Sequence, residues 1–483
     1  MGLIGVLLGL ALLVWLALRG WSVLLLAPAA ALLAAAFAME PLLASWTQTF
    51  MGSAALFLAQ FFPLFLLGAL FGNLMDDSGS VSAIAGFMTE RLGERRAVLA
   101  VVLAGALVTY GGVSLFVAFF VLVPMAQALF RAASIPRRLM PAAIALGTST
   151  FTMSALPGTP AIQNAIPMPF FGTTPFAAPG LGIIASAIML GFGLWWLGRA
   201  EAVARRAGER YGAPDGAIDA AANDPIVREL ATPAREFDPA EIHRGQHSAT
   251  TPPVARALLP LVVVVSVNLL MSLIVLPRLD FSFLAEERWG STSLSAVAGV
   301  WAVVVALAAA IATLIAVNYH YFPSLRASMD AGANASVLPA LSVASLVGFG
   351  AVVAALPAFA AVRDWVLSIE GGPLVSLAVA TNVLAALTGS ASGGLTIALD
   401  ALGNAYMELA AGKDIDPALM HRVAVIGSGT LDSLPHNGAV VTLLALCGLT
   451  HRESYFDMVM VAIVGAIIAL VAVIALGAAV GSF

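Results

Sequence analysis

The sequence predicts an all-α polytopic membrane protein built from two inverted-topology repeats, each with five spans, a re-entrant hairpin and a broken helix. Three observations carry that prediction. Of 483 residues, 60% are hydrophobic and 10% charged, and mean hydropathy is +0.98. Apolar stretches of the roughly 20 residues needed to cross about 30 Å of hydrocarbon recur along the chain. One interrupted pattern is also written twice. Leu139-Met140 leads into GTSTFTMSALPGTP (147–160), and Leu419-Met420 leads into GSGTLDSLPHNG (427–438). A double-glycine break precedes each copy, at Tyr110-Gly111-Gly112-Val113 and at Ser392-Gly393-Gly394-Leu395. Finally, Lys and Arg are spread unevenly over the loops that this pattern implies.

Taken in order, the first-half spans are 2–18, 22–38, 52–75, a broken pair 97–131, then 137–168 and 179–198. The second-half spans are 257–277, 294–317, 337–361, a broken pair 373–407, then 417–448 and 456–480. Residues 2–18 read as a true span, because no Lys or Arg precedes Arg19 and the basic leader of a cleavable signal is missing. The arm 97–109 is only about 20 Å of helix at ~1.5 Å per residue, too short to cross. Both pairs therefore read as hairpins that return to the side they left, with tips at Tyr110–Gly112 and Ser390–Gly394; the alternative is that the longer second arms cross, which leaves the parity unchanged but moves the tips from the midplane. Asp76-Asp77 and the Glu90–Arg96 cluster read as solvated membrane ends. An odd number of crossings per half sends the second half into the bilayer opposite to the first. The expected organisation is an N-terminal repeat 1–198, a linker 199–256 and a C-terminal repeat 257–483.

Charge tests this scheme. Of 22 Lys and Arg residues, 17 fall on one side, leaving only Arg278, Arg288, Arg363, Lys413 and Arg422 on the other. The positive-inside rule then puts both termini on the periplasmic or extracellular face of the cytoplasmic (inner) membrane. The linker 199–256 is rich in Ala, Pro and balanced charge, and is expected to be cytoplasmic and helical near Glu201–Arg210. His243 and His247 lie four apart there and suit a metal if helical, a solvated stretch being the alternative. The single cysteine, Cys447, excludes a disulfide framework and any multi-thiolate metal site. No Walker, Rossmann or zinc-protease motif occurs, so neither a nucleotide, a metal nor another cofactor is expected, and no nucleic-acid partner.

Paired helix breaks at matching positions of two halves point to a transporter's binding site. Non-helical backbone survives inside a bilayer only where it faces protein or an aqueous cavity. Pro157 and Pro160 in one half and Pro435 in the other should start new half-helices, whose free N–H groups suit an anion. Thr148, Ser149, Thr150, Thr152, Ser154, Pro157, Gly158 and Thr159 are the candidates in the first break, with Gly111 and Gly112 at its hairpin tip. Ser428, Thr430, Ser433, His436, Asn437 and Gly438 are those of the second, with Ser392, Gly393 and Gly394 at its tip. Gln163 and Asn164 can hydrogen-bond a hydroxylated ligand or a neighbouring helix; Asn382 and Thr388 carry the same two readings. Asp432 reads either as a helix N-cap or as a proton-coupling carboxylate with His436 as relay. Asp400 is a further intramembrane acid, while His421 and Arg422 read as anchors at a span entrance.

The run GSGTLDSLPHNGAVVTLLALCGLTHRESY (427–455), together with the first break and the hairpin tips, resembles the gluconate:proton symporter family of permeases, within the ion transporter superfamily. The resemblance covers most of the chain outside 199–256. It implies an inverted-repeat fold, a substrate held between hairpin tips and broken helices, proton-driven uptake of small hydroxylated carboxylates, an elevator-type motion and a homodimer. Where sugar-acid members carry a His-Val-Asn-Asp-Ser-Gly-type run, this chain has Leu434-Pro435-His436-Asn437-Gly438-Ala439. That departure points away from gluconate and toward a smaller acid such as 3-hydroxybutyrate. The expectation is a proton symporter, not an enzyme; sodium-coupled symport or cation/proton antiport are the alternatives.

Overall fold

The computed structural model describes residues 2–17, 21–211, 247–435 and 437–483. Among them every regular element is helical. The chain opens with α1 (Gly2–Ala17) and α2 (Val23–Phe37), an antiparallel pair joined by a short connection. Next comes α3 (Leu42–Asp77), 36 residues long with a π-helical stretch at Ser45–Phe50. At about 1.5 Å per residue it overshoots a 30 Å core. The sequence suggested 52–75; the polar run Ser45-Trp46-Thr47-Gln48-Thr49 hid the extension, which Thr47 supports by donating to the Leu43 carbonyl at 2.6 Å.

Helix α4 (Ser80–Leu92) was not anticipated. It buries Val81, Ile84 and Ala85 against the hairpin that follows, formed by α5 (Ala97–Tyr110) and α6 (Leu115–Ala132). After α7 (Met140–Thr148) the backbone breaks, with single turns at Phe151–Ser154, Ile162–Ala165 and Pro167–Phe171. Helix α8 (Pro179–Arg206) closes the first half and continues without interruption into the expected linker, most of which lies outside the described residues.

The second half begins with α9 (Val254–Arg278), α10 (Leu294–Tyr321) and α11 (Leu325–Ala355). Helix α11 starts well before the expected residue 337, because Ser324 caps it by accepting from the Ala327 N–H at 3.3 Å. A short helix, α12 (Phe359–Leu367), precedes the second hairpin of α13 (Pro373–Thr388) and α14 (Ala391–Gly412). Then come α15 (Pro417–Ser428), a break, α16 (Gly438–Leu446) and α17 (His451–Val480). The last is started by a Thr450–Glu453 capping box. Among the described residues, six helices (α3, α8, α9, α10, α11 and α17) are long and apolar enough to cross a membrane. The chain is a multi-pass membrane protein.

Packing follows the same order in both halves. The first arm of each hairpin lies against the helix that leads into the break, α5 on α7 and α13 on α15. Around these units run α3 and α11, packed along one another, so first-half and second-half elements interleave. Glycine makes the closest approach possible. A Cβ on Gly332 would stand 2.9 Å from the Leu70 backbone, where α11 crosses α3.

Candidate functional site

Each hairpin tip is hydrogen-bonded to a break. In the first half Tyr110 Oη donates to the Pro157 carbonyl at 2.9 Å. In the second, Asn437 Nδ2 donates to the Gly389 carbonyl at 2.8 Å. The tips need glycine for different reasons. Gly112 sits at φ +98, with a hypothetical Cβ 2.9 Å from Pro160, whereas a Cβ on Gly394 would collide with the Ala385 backbone of the opposite arm.

Asn437, not Asp432, caps α16, accepting from Ala439 N at 2.7 Å and Val440 N at 3.3 Å. A full-length half-helix starts in the second break only. After Pro160 the chain makes two single turns instead, since Pro167 and the left-handed Gly172 punctuate it.

Where these parts meet lies a cavity of about 50 Å³. The second tip contributes Gly389, Ser390 and Ala391; the first break Ser149, Met153, Ser154 and Gln163; the second break Gly429, Asp432, Ser433 and Asn437. Leu115, Phe119, Val440 and Leu443 complete an apolar wall. Asp432 accepts from Ser433 Oγ at 3.2 Å. The α16 N-terminus faces the space through Ala439 and Val440, bringing its partial positive charge. A larger cavity of about 140 Å³ lies on the other side of Leu115, Met153 and Gln163, which line both. It is bounded by Gly112–Ser114 of the first tip, by Phe65 and Gly68 of α3, and by Ser336 and Pro339 of α11.

The expected site residues divide accordingly. Ser149, Ser154, Gln163, Asp432, Ser433 and Asn437 reach the inner cavity, and Gly112 and Gln163 the outer one. Most of the remaining hydroxyls repair backbone left open by the breaks. Thr148 donates to Ile144 O at 2.8 Å, Thr150 to Leu146 O at 2.7 Å and Thr430 to Ile426 O at 2.7 Å. Ser428 does the same toward Val425 O at 2.9 Å, and Thr159 accepts from Ala161 N at 3.3 Å. Pro157 and Gly158 supply carbonyls that hold Tyr110 and Asn268. Gly111 packs against Leu261, Gly393 lies next to Ser390, which caps α14, and Ser392 and Gly438 line neither cavity. His436 and His243 lie outside the described residues.

Asn164 is fully buried and already occupied. Its amide donates to Thr159 O and Pro175 O at 3.0 Å, while its oxygen faces His421 Nε2 at 3.1 Å and Arg422 Nη1 at 3.5 Å. Its neighbour is the opposite case. Gln163 is 6% exposed, and its Oε1 is buried with no hydrogen-bond partner. A buried acceptor left unmade costs about 1–3 kcal/mol.

At the periphery, His421 and Arg422, near the start of α15, are fully buried and act as anchors inside the protein. Arg422 donates to the Ala177 carbonyl at 2.7 Å, and His421 Nδ1 sits 2.6 Å from Thr173 Oγ1, so both pin the 172–178 loop to α15. Asp77 is 1% exposed rather than solvated, with Asn73 Nδ2 at 3.3 Å and His247 Nδ1 at 3.4 Å.

Comparison with known proteins agrees with this architecture. Residues 1–169 match the model of the GntP family permeases. The uncharacterized transporter YxjC of Bacillus subtilis (strain 168) is 40% identical over 486 residues, covering 99% of this chain and 99% of its own.

Proposed function

We propose that this chain, which belongs to the GntP permease family and is a membrane transporter rather than an enzyme, imports a small hydroxy-carboxylate together with protons. The observation that carries the reading is the inner cavity. Both breaks and the second hairpin tip meet there, around a carboxylate (Asp432) and an unpartnered buried acceptor (Gln163). The ligand carboxylate would lie at the α16 N-terminus with Asn437 and Ser433 beside it, and its hydroxyl would donate to Gln163 Oε1. Asp432 would carry the proton, with His436 as relay. The apolar wall of Leu115, Phe119, Val440 and Leu443 favours a short, less hydroxylated acid such as 3-hydroxybutyrate over gluconate.

The reading extends to the whole molecule. The hairpins are re-entrant, the halves (1–198 and 257–483) are inverted repeats about a cytoplasmic linker, and both termini face outward from the inner membrane. A homodimer is the expected assembly. Sodium coupling is the second reading, favoured by the hydroxyls of Ser149, Ser154, Ser390 and Ser433 around the same cavity.

The test is uptake of labelled 3-hydroxybutyrate by reconstituted protein under a pH or a sodium gradient, with gluconate as competitor. Acceleration by inward protons alone supports symport, and Asp432→Asn should then abolish gradient-driven uptake while keeping exchange of internal for external substrate. Acceleration by sodium alone transfers coupling to the hydroxyls. Driven uptake that survives Asp432→Asn removes Asp432 from the mechanism.

A further inference from the structure

A separate cleft of about 290 Å³ lies between α1, α11, α12 and both arms of the second hairpin. Its lining is apolar from end to end, with Leu10 on α1, Phe349 on α11, Val366 on α12, Ala380 on α13 and Ala401 on α14. It opens sideways, because Leu7, Val383 and Trp365 in its wall are 58%, 46% and 67% exposed. On a multi-pass membrane protein that lateral surface is bathed in hydrocarbon. Water has no reason to fill such a space, since each molecule needs two to four polar partners. An empty cleft would forfeit dispersion contacts along all of its walls.

One edge differs. Helix α12 turns Val366 inward but leaves Arg363 and Asp364 46% and 67% exposed as an ion pair at 3.1 Å, adjacent in sequence to Trp365 of the cleft wall. A short amphipathic helix carrying Trp beside paired charges is the signature of the headgroup level. Polarity therefore grades along the cleft from a zwitterionic rim to a dry interior, as it does along a zwitterionic phospholipid. We propose that the cleft binds one acyl chain of such a phospholipid, whose headgroup lies against the Arg363–Asp364 pair. The occupant bears on transport because one wall belongs to the hairpin that carries Gly389–Ala391, and the facing wall to α1 and α11.

The experiment uses the full-length protein in phosphatidylcholine vesicles doped with phosphatidylcholine carrying a diazirine in mid-chain, irradiated and analysed by peptide mass spectrometry. Label is expected on α1, α12 and α13 at the cleft. Ala380→Phe, which fills the interior, should remove that label and leave label on the outer face of α9 unchanged. Val383→Trp at the exposed mouth is the second block, and does not require the core to accept a larger side chain. Absence of label at the cleft, or label that persists in a folded Ala380→Phe or Val383→Trp protein, would each overturn the proposal.

Discussion

Gln163 and Asn164 are adjacent amides with opposite fates, and that contrast makes a sharp test. Asn164 spends all of its hydrogen-bonding capacity inside the protein, whereas Gln163 Oε1 spends none. Replacing Gln163 with Leu removes an acceptor that the free protein leaves unmade. We therefore expect unchanged or slightly raised thermal stability and about a tenfold rise in KM for 3-hydroxybutyrate, the worth of one hydrogen bond of ~1–1.5 kcal/mol. Butyrate, which lacks the hydroxyl, should bind as before. A Gln163→Leu protein that loses stability, or that weakens both acids equally, would make this amide structural. The sequence made both residues candidates, yet only the fold distinguishes them, because nothing in a Gln-Asn dipeptide says which side chain will find partners. Arg422 repeats the lesson. Its charge suggested an anchor at a span entrance; that it anchors from full burial, held by two hydrogen bonds to the Ala177 carbonyl, only the fold shows.

At the level of elements, the hairpins and breaks were legible because Gly-Gly pairs and Pro-flanked Ser/Thr runs disrupt helices by backbone chemistry alone. What could not be read was which polar residue would cap the resumed helix. Asp432 and Asn437 were both eligible by type, and geometry selects Asn437, whose oxygen accepts from α16 while its amide holds the Gly389 carbonyl. Asn437→Ala should cost about 0.5–2 kcal/mol for the cap alone. It should also release the second tip. Amide hydrogen exchange near Gly389–Gly394 should rise, with the first tip, held by Tyr110, unaffected. Equal exchange at both tips would mean that the Asn437–Gly389 bond is not what holds the second one. Helix α4 escaped notice because its apolar face is short and ends in Glu90-Arg91, which resembles a loop until the hairpin arms are there to cover it.

Across the whole molecule, contacts between distant segments decide what periodicity cannot. Arg138, just before α7, reaches Glu209 beyond α8 at 2.9 Å and Asp457 on α17 at 2.6 Å, and Trp196 donates to the same Asp457 at 3.0 Å. The hydrogen bond to Glu209, with Asp457 nearby, holds the guanidinium pKa above its ordinary value. With Asp457 only 5% exposed, Arg138→Ala strands a buried carboxylate. We expect a loss of about 1–3 kcal/mol, less than for a fully buried pair because Arg138 itself is 31% exposed. Adding Asp457→Asn should recover part of that loss in a thermal-unfolding series; no recovery would show that the arginine acts through packing alone.

The interleaving of α3 with α11 has a consequence for how the gene can be divided. Either half made alone would leave the long face of one of these helices without its mate. Two separate polypeptides, 1–211 and 247–483, should therefore complement one another when made in the same cell, and each should be degraded when made by itself. Survival of a lone half would mean that its membrane segments fold without the other.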